Sequence, residues 1–459
     1  LRILHITEYC HAGSIGGTER YILDLIRGLD AAGIKNTIGW LKPGHSTETL
    51  KSEGVRIISL PASPMRVDAP PPEFHEAATR LLETEKPDWL HFHTFGLTEA
   101  ALASLAKERG IPYAFTYHSP AWTCRNQTLL FRNGQTPCDG EVRAWRCSSC
   151  QSQTRLGMRT PAGDVATAIS LAAGWAALPL GRTSLRRRSA FFYDSMRYRR
   201  VLRSFLAECD LVVSCCDWSG PVLRLNGARE NCMVHCPQGV PNAVAEVLQA
   251  KSKFNPCSSR GNEAQIKIRN PKSEIRNQFV IGYVGRVVEV KGVHVLMEGF
   301  LKVEGKEARL RIIGWDPDHA DLPYARRVSQ LAQVDSRIEL VPKKSFADTL
   351  AEYQRLSLLA IPSVWMETGP LTLLEALAVC VPVYGSKRLG QLNLLREYGR
   401  IVDPNTPAAW QVALSGALEE FRNGKWRAHQ EHIRNTMKLH TMADVAAEMA
   451  ARYQVLLAN

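Results

Sequence analysis

The chain reads as an α/β protein built from two doubly wound parallel sheets, and three observations predict this. Apolar strand-like runs alternate with amphipathic helix-like runs, and the alternation occurs twice along 459 residues. The length suits two domains of ordinary size, each burying its own core. The hydrophobic share, 45 %, is that of a globular chain, with no run of about 20 apolar residues to span a bilayer.

In the first half, strands are expected near 2–6, 36–41, 56–60, 89–93, 112–117, 210–214 and 231–236. The first, LRILHI, runs into a loop holding Gly13, Gly16 and Gly17. A helix follows with Tyr21, Ile22, Leu25, Ile26 and Leu29 on one face. The loop is not the G-x-G-x-x-G dinucleotide fingerprint, so NAD is disfavoured. The strand in YAFTYHSP ends on His118. In the second half, strands are expected near 279–284, 308–313, 337–341, 357–361 and 381–384. The first domain is expected over 1–245, with a Cys-rich and basic insertion at about 119–205. The second covers 279–459, its C-terminal helices included. Between them, 246–278 is polar, echoes KIRN and EIRN around Pro271, and reads as an inserted hinge loop without chemistry.

The candidate chemistry lies at strand ends, where open α/β sheets bind ligands. In IGYVGRVVEVKG, residues 281–292, Arg286 and Lys291 follow a buried strand, and two cations there suit a nucleoside diphosphate. In IPSVWMETGPLTLLEALAVCVPVYG, residues 361–385, Glu367 and Glu375 are eight apart. On a helix, that spacing leaves them about 80° past two full turns and roughly 10 Å apart. Two such carboxylates suit a polyhydroxyl ligand. The helix start at Thr368, Gly369, Pro370 and Leu371 offers N–H groups to a phosphate.

The order of these motifs (GG loop, His, GR-x4-KG and E-x7-E followed by EALA) resembles the retaining glycosyltransferases of family 4. The resemblance covers nearly the whole chain. It implies the GT-B fold, two Rossmann-like domains facing across a cleft, with a C-terminal helix crossing back. It implies a metal-independent hexosyl transfer from a UDP- or GDP-sugar to a hydroxyl of a glycan or lipid-linked acceptor, as in bacterial surface polysaccharide or glycolipid synthesis. The resemblance assigns Glu375 to the ribose and Glu367 to the donor sugar. Arg286, Lys291 and the turn at Gly369, Pro370 and Leu371 fall on the diphosphate, Gly16 and Gly17 close over it, and His118 contacts the sugar. The chain departs from the family at Cys380, where glycine is usual, and in the glycine-poor stretches GSKRLGQLN and IIGWDPD. Two other classes remain open at this stage. A non-catalytic GT-B scaffold would have no use for the four charged residues. A sugar-nucleotide epimerase would turn over donor without acceptor.

Of twelve cysteines, Cys124, Cys138, Cys147 and Cys150 fall within 27 residues with spacing C-x13-C-x8-C-x2-C. Four thiolates at that spacing suggest a structural zinc ion, with an iron–sulfur cluster as the other option. The remaining cysteines are scattered, which fits a reducing cytoplasm, and no signal-peptide pattern opens the chain. The formal net charge is +12. The apolar run 168–180 is followed by Arg182, Arg186, Arg187, Arg188, Arg197, Arg199, Arg200 and Arg203, mixed with Phe191, Phe192, Tyr193 and Tyr198. This pattern suits either an anionic membrane surface at the cytoplasmic face or a helical hairpin with a solvated basic side. Nucleic acid is the disfavoured partner, since no recognised module for it is present.

Overall fold

The computed structural model describes residues 1–9, 16–44, 48–52, 54–131, 136–156, 165, 168, 169, 172, 183–245, 278–438 and 440–458. Expectations placed on Gly13, on most of 168–182, on the side chains of Arg186, Arg187, Arg188 and Phe191, and on 250–277 lie outside them.

The chain forms two compact units. The first comprises Leu1–Gln238, Trp365–Gly369 and Met442–Asn459, and the second Gly239–Val364 and Pro370–Thr441. The first is therefore assembled from three stretches of sequence, a composition that a boundary drawn at 245 does not contain.

The first unit holds strands β1 (Arg2–Thr7), β2 (Lys35–Pro43), β3 (Thr49–Ser52), β4 (Val55–Ala62), β5 (Trp89–Phe92), β6 (Tyr113–Tyr117), β7 (Leu130–Phe131), β8 (Thr136–Pro137), β9 (Leu211–Ser214) and β10 (Met233–His235). Eight of them form one sheet in the order β10-β9-β6-β5-β1-β2-β4-β3. All its pairings are parallel except β3 with β4. The chain leaves β1 toward β2 and later returns on the other side at β5, so the loop after β1 lies at a topological switch point. Strands β7 and β8 pair as a separate antiparallel ribbon.

Helices α1 (Gly17–Ala31), α2 (Phe74–Glu85), α3 (Leu97–Glu108), α4 (Ala144–Leu156), α5 (Thr183–Glu208) and α6 (Ser219–Leu225) complete the N-terminal part. In α1 the expected face Tyr21, Ile22, Leu25, Ile26 and Leu29 is buried. It packs with Met442, Val445, Ala446, Met449 and Tyr453 of the C-terminal helix, which lies in this unit. The two helices approach closely at Gly28, where a Cβ would fall 2.4 Å from the Ala446 Cβ.

The second unit holds β11 (Phe279–Val284), β12 (Ala308–Trp315), β13 (Ile338–Pro342), β14 (Leu358–Ile361), β15 (Val383–Ser386) and β16 (Gly399–Val402). They form a parallel six-stranded sheet in the order β13-β12-β11-β14-β15-β16. Its helices are α7 (Val293–Phe300), α8 (Pro323–Val334), α9 (Phe346–Tyr353), α10 (Leu371–Ala378), α11 (Leu392–Tyr398), α12 (Pro407–Arg422) and α13 (Trp426–Thr436). The C-terminal helix, α14 (Met442–Ala458), is the last element. Strand β11 is flanked by β12 and β14, so the loop after it is again a switch point. Every expected strand is present. Strands β3, β7, β8 and β16 were not anticipated, being short and without a clear apolar alternation. Among the described residues, no helix is long and apolar enough to cross a membrane.

Candidate functional site

In the first unit, polar side chains collect at the C-terminal ends of β1, β5 and β6. Burying them costs free energy unless each is hydrogen-bonded. His5 of β1, His93 just beyond β5 and His118 just beyond β6 form one chain of contacts. His5 Nε2 lies 3.0 Å from Asn36 Oδ1. His5 Nδ1 lies 3.1 Å from His93 Nε2, and His93 Nδ1 lies 3.0 Å from His118 Nε2.

The tautomers follow from the anchored end. Asn36 Nδ2 donates to Asp30 Oδ1 and to the Ile34 carbonyl, so Oδ1 must accept from His5. Burial lowers the pKa of His5 to about 4 and of His118 to about 3, and holds His93 well below its ordinary value. All three rings are therefore neutral at pH 7, with one donor each. His5 donates through Nε2 and accepts at Nδ1. His93 donates through Nε2 and accepts at Nδ1. His118 donates through Nε2, which leaves its Nδ1 as a lone pair. That atom is buried without a hydrogen-bond partner. The relay thus presents one acceptor of fixed orientation, and Tyr21 stands edge-on to the ring at 4.6 Å.

Glu367 reaches the same neighbourhood through the segment Trp365–Gly369 of the first unit. Met366 N donates to the Thr128 carbonyl at 3.1 Å, and Trp218 Nε1 to the Glu367 carbonyl at 3.1 Å. Thr368 Oγ1 donates to the His118 carbonyl at 2.7 Å. Trp365 Nε1 donates to Glu367 Oε1 at 3.0 Å, and Glu367 is buried, at 4 % exposure. His118 and Glu367 are thus brought together by backbone contacts that neither motif reveals.

Two further features lie at this edge. Arg66 donates to Glu8 Oε2 at 2.9 Å and to the Tyr9 hydroxyl at 2.8 Å, and lies over Trp122 at 4.2 Å. Glu99 accepts from Thr94 Oγ1 at 2.7 Å, and burial together with the charge of Glu8 pushes its pKa up to about 8. Sequence reading missed this cluster because its members are far apart in the chain.

In the second unit, Gly285 and Arg286 follow β11 directly, and Lys291 ends the 3₁₀ turn Glu289–Lys291 before α7. Gly292 has φ +70, and a Cβ there would fall 2.1 Å from the Pro362 carbonyl oxygen. Glycine is needed at that point for the β11 loop to lie against the end of β14. Glu375 sits in α10, buried to 7 % exposure, and accepts from the Tyr353 hydroxyl of α9 at 2.6 Å.

Two expectations need correction. Glu367 lies, as expected, in the turn before the helix that carries Glu375, since α10 begins at Leu371 with Pro370 as its N-cap. A proline preceded by glycine favours an extended entry, so the helical rotation between the two glutamates does not apply. Thr368 and Gly369 precede the helix and lie in the first unit, so the leading N–H groups of α10 are those of Leu371 and Thr372. Gly16, with φ −86, precedes α1 and Gly17 is its first residue, so the glycine pair stands at the helix N-terminus after β1. In the arginine- and aromatic-rich stretch, Tyr198 is core, its hydroxyl donating to the Trp122 carbonyl. Arg197 and Arg203 of α5 donate to the carbonyls of Val67 and Leu225.

Residues 15–146 match the family described as Glycosyltransferase Family 4, and residues 265–433 match Glycosyl transferases group 1. The chain belongs to the group 1 glycosyltransferases of the GT-B fold. A D-inositol 3-phosphate glycosyltransferase of Salinispora tropica is 25 % identical to this family member over 45 % of the chain and 46 % of the relative. One of Corynebacterium glutamicum is 28 % identical over 39 % and 44 %. The chain spans about half the length of these curated relatives. Among solved structures, sucrose-phosphate synthase from Thermosynechococcus elongatus aligns with it at a TM-score of 0.64 and 18 % identity, covering 100 % of the family member and 99 % of the other chain. Anabaena HepE in complex with UDP aligns at 0.62 and 12 % identity, covering 99 % and 100 %. These likenesses establish the fold.

Proposed function

We propose that this GT-B chain is a retaining, metal-independent glycosyltransferase that moves a hexosyl group from a nucleoside diphosphate sugar to a hydroxyl of a glycan or lipid-linked acceptor. The observation that carries the reading is the burial of two carboxylates: Glu367, which accepts from Trp365, and Glu375, which accepts from Tyr353. A buried carboxylate is costly to keep, and each carboxylate offers about four acceptor sites that can take ligand hydroxyls.

Glu375 binds the ribose hydroxyls and Glu367 those of the donor sugar. Arg286, Lys291 and the N–H groups of Leu371 and Thr372 take the diphosphate and its growing charge, as preorganised donors do. His118 accepts a hydroxyl proton of the sugar at Nδ1. The C1–phosphate bond breaks and a C1–acceptor oxygen bond forms on the same face. The acceptor proton passes to the leaving phosphate oxygen. Protein cations replace the divalent ion in this scheme. UDP is favoured as carrier because HepE, which shares the fold, binds it, with GDP the other candidate.

The curated relatives are named for a phosphorylated polyol acceptor, which supports a hydroxyl as nucleophile. The net charge of +12 supports an acceptor at an anionic membrane, at its cytoplasmic face, as in surface polysaccharide or glycolipid synthesis.

Thermal-shift titration with UDP, GDP, ADP and their sugar conjugates tests the donor half. One nucleotide should stabilise the wild type by mass action. Glu375→Ala should abolish the shift, and Tyr353→Phe should weaken binding about tenfold, roughly the worth of one hydrogen bond to a charged group. Turnover should survive EDTA and give the donor's anomeric configuration in the product. Donor consumption without acceptor would make the chain an epimerase, and no nucleotide binding at all would make it a scaffold.

A further inference from the structure

Four cysteines of the first unit converge. Cys124 follows the 3₁₀ turn Pro120–Trp122, and Cys138 follows β8. Cys147 and Cys150 are three apart on α4, hence on one helix face. All four thiols, none in a disulfide, line one cavity together with Asn126 and Arg146. Sulfur is a weak acceptor, yet three of these sulfurs meet N–H donors. Arg143 N donates to Cys147 Sγ at 3.3 Å, Asn126 Nδ2 to Cys150 Sγ at 3.3 Å, and the Gly140 N–H to Cys138.

Core packing of Leu129 and Val142 and the Asn226 bonds to Val142 N and the Gly140 carbonyl hold part of this region. Strands β7 and β8 are two residues each, too short for independent stability. Gln127 and Leu129 have φ +63 and +53, left-handed conformations that cost a non-glycine residue roughly 1–2 kcal/mol each. Between them, Thr128 offers its carbonyl to Met366 N, one residue from Glu367. Something must over-determine this loop.

We propose that Cys124, Cys138, Cys147 and Cys150 bind one structural zinc ion that braces the 124–138 loop and, through Thr128, the segment carrying Glu367. Four thiolates on Zn²⁺ leave a net charge of −2; Arg125 and Arg146 line the cavity beside Glu141, with Arg146 paired to Asp139. A tetrahedral site needs Zn–S distances of about 2.3 Å. No three of the four sulfurs lie within 4.8 Å of one another, so binding turns cysteine side chains inward. Among the described residues, only His5, His91 and His93 have ligand atoms that close. Those nitrogens are already engaged: His91 with Thr116 and Tyr453, His5 with Asn36 and His93, and His93 with His5 and His118. The histidines are a hydrogen-bonded relay, and the thiols are the metal site.

The bracing half rests on the reading of Glu367 as a sugar ligand; the zinc half does not. Full-length protein purified without chelator should carry about one zinc per chain. Cys147→Ser and Cys150→Ser should lower it at least tenfold, with Cys232→Ser as the unchanged control. Cobalt exchanged into the wild type should give the charge-transfer and ligand-field bands of a tetrahedral tetrathiolate, a readout independent of whether the variants fold. Chelation should speed amide exchange at Met366 and Glu367 at least tenfold. Zinc-free wild type with unchanged melting temperature overturns the site. So do iron with acid-labile sulfide, or zinc lost on His93→Phe and kept on Cys147→Ser. Zinc present with unaltered exchange at Met366 overturns the bracing alone. Loss of nucleotide binding in Glu375→Ala reports on the proposed activity separately.

Discussion

At the scale of single residues, the relay from Asn36 to His118 does what a lone histidine cannot. An isolated neutral imidazole exchanges between tautomers, so its acceptor points either way. Here the asparagine, itself fixed by Asp30 and Ile34, propagates one orientation through two further rings. His93→Phe keeps the size of the side chain and removes both nitrogens, so His118 should lose its single tautomer. His93→Gln offers a donor and an acceptor and should restore it. The expected outcome is a fall in kcat of about tenfold for phenylalanine, about the worth of one hydrogen bond, with recovery for glutamine. Nitrogen chemical shifts of His118 check the tautomer directly. Equal activity in both variants would reduce the relay to packing. The place of His118 after a strand is legible in the sequence, but its partners are not. The run HFH does place His91 and His93 on one face of β5 by the two-residue period, yet nothing local links them to His5.

At the scale of elements, α10 shows how far the motifs carry. The buried face of this helix and the placement of Glu375 follow from the apolar run around it. Its C-terminus explains the one family departure that looks damaging. Val381 N donates to the Ala376 carbonyl and Cys380 N to the Leu377 carbonyl, both at 2.9 Å, which is a Schellman motif. The residue at its left-handed position is Cys380, φ +62. Glycine there removes roughly 1–2 kcal/mol of strain. It also adds roughly 0.5–1 kcal/mol of unfolded-chain entropy. Cys380→Gly should therefore stabilise the second unit by about 0.5–1 kcal/mol and raise its melting temperature by about 1–4 °C. Cys380→Ala, which keeps the Cβ, should not; equal shifts in both variants would mean the gain comes from removing the thiol. The opening of the helix near Pro370 was legible; what the run around Glu367 could not reveal is that Glu367 and Thr368 are held by partners more than 140 positions away.

At the scale of the whole molecule, the double alternation of strands and helices was legible because it is a local signal repeated many times. The assembly of the first unit from three stretches was not, since it depends on contacts such as Tyr453 with His91. That contact closes a core with an unusual electrostatic load. His5, His91, His93 and His118 are buried, and burial holds all four well below the ordinary 6.5, at about 4 for His5 and about 3 for His118. Between pH 6.5 and 4 the unfolded chain binds their protons and the folded chain does not, so stability is lost as pH falls through this window. Glu99 acts in the opposite sense. Raised to about 8, it keeps its proton in the folded state above its ordinary 4.5, so its contribution declines as pH rises from 4.5 to 8. Four histidines outweigh one glutamate near pH 5, so the unfolded chain binds more protons there and the first unit should lose stability as pH falls below 6.5. Thermal melts from pH 8 to 4 should show its midpoint falling steadily below pH 6. His5→Gln should make the fall shallower by about a quarter, and Glu99→Gln should flatten the opposing slope above pH 6. A midpoint that holds steady from pH 7 to 5 would mean that the four rings are protonated in the folded chain, and the neutral relay with its single acceptor at His118 would fall with that result.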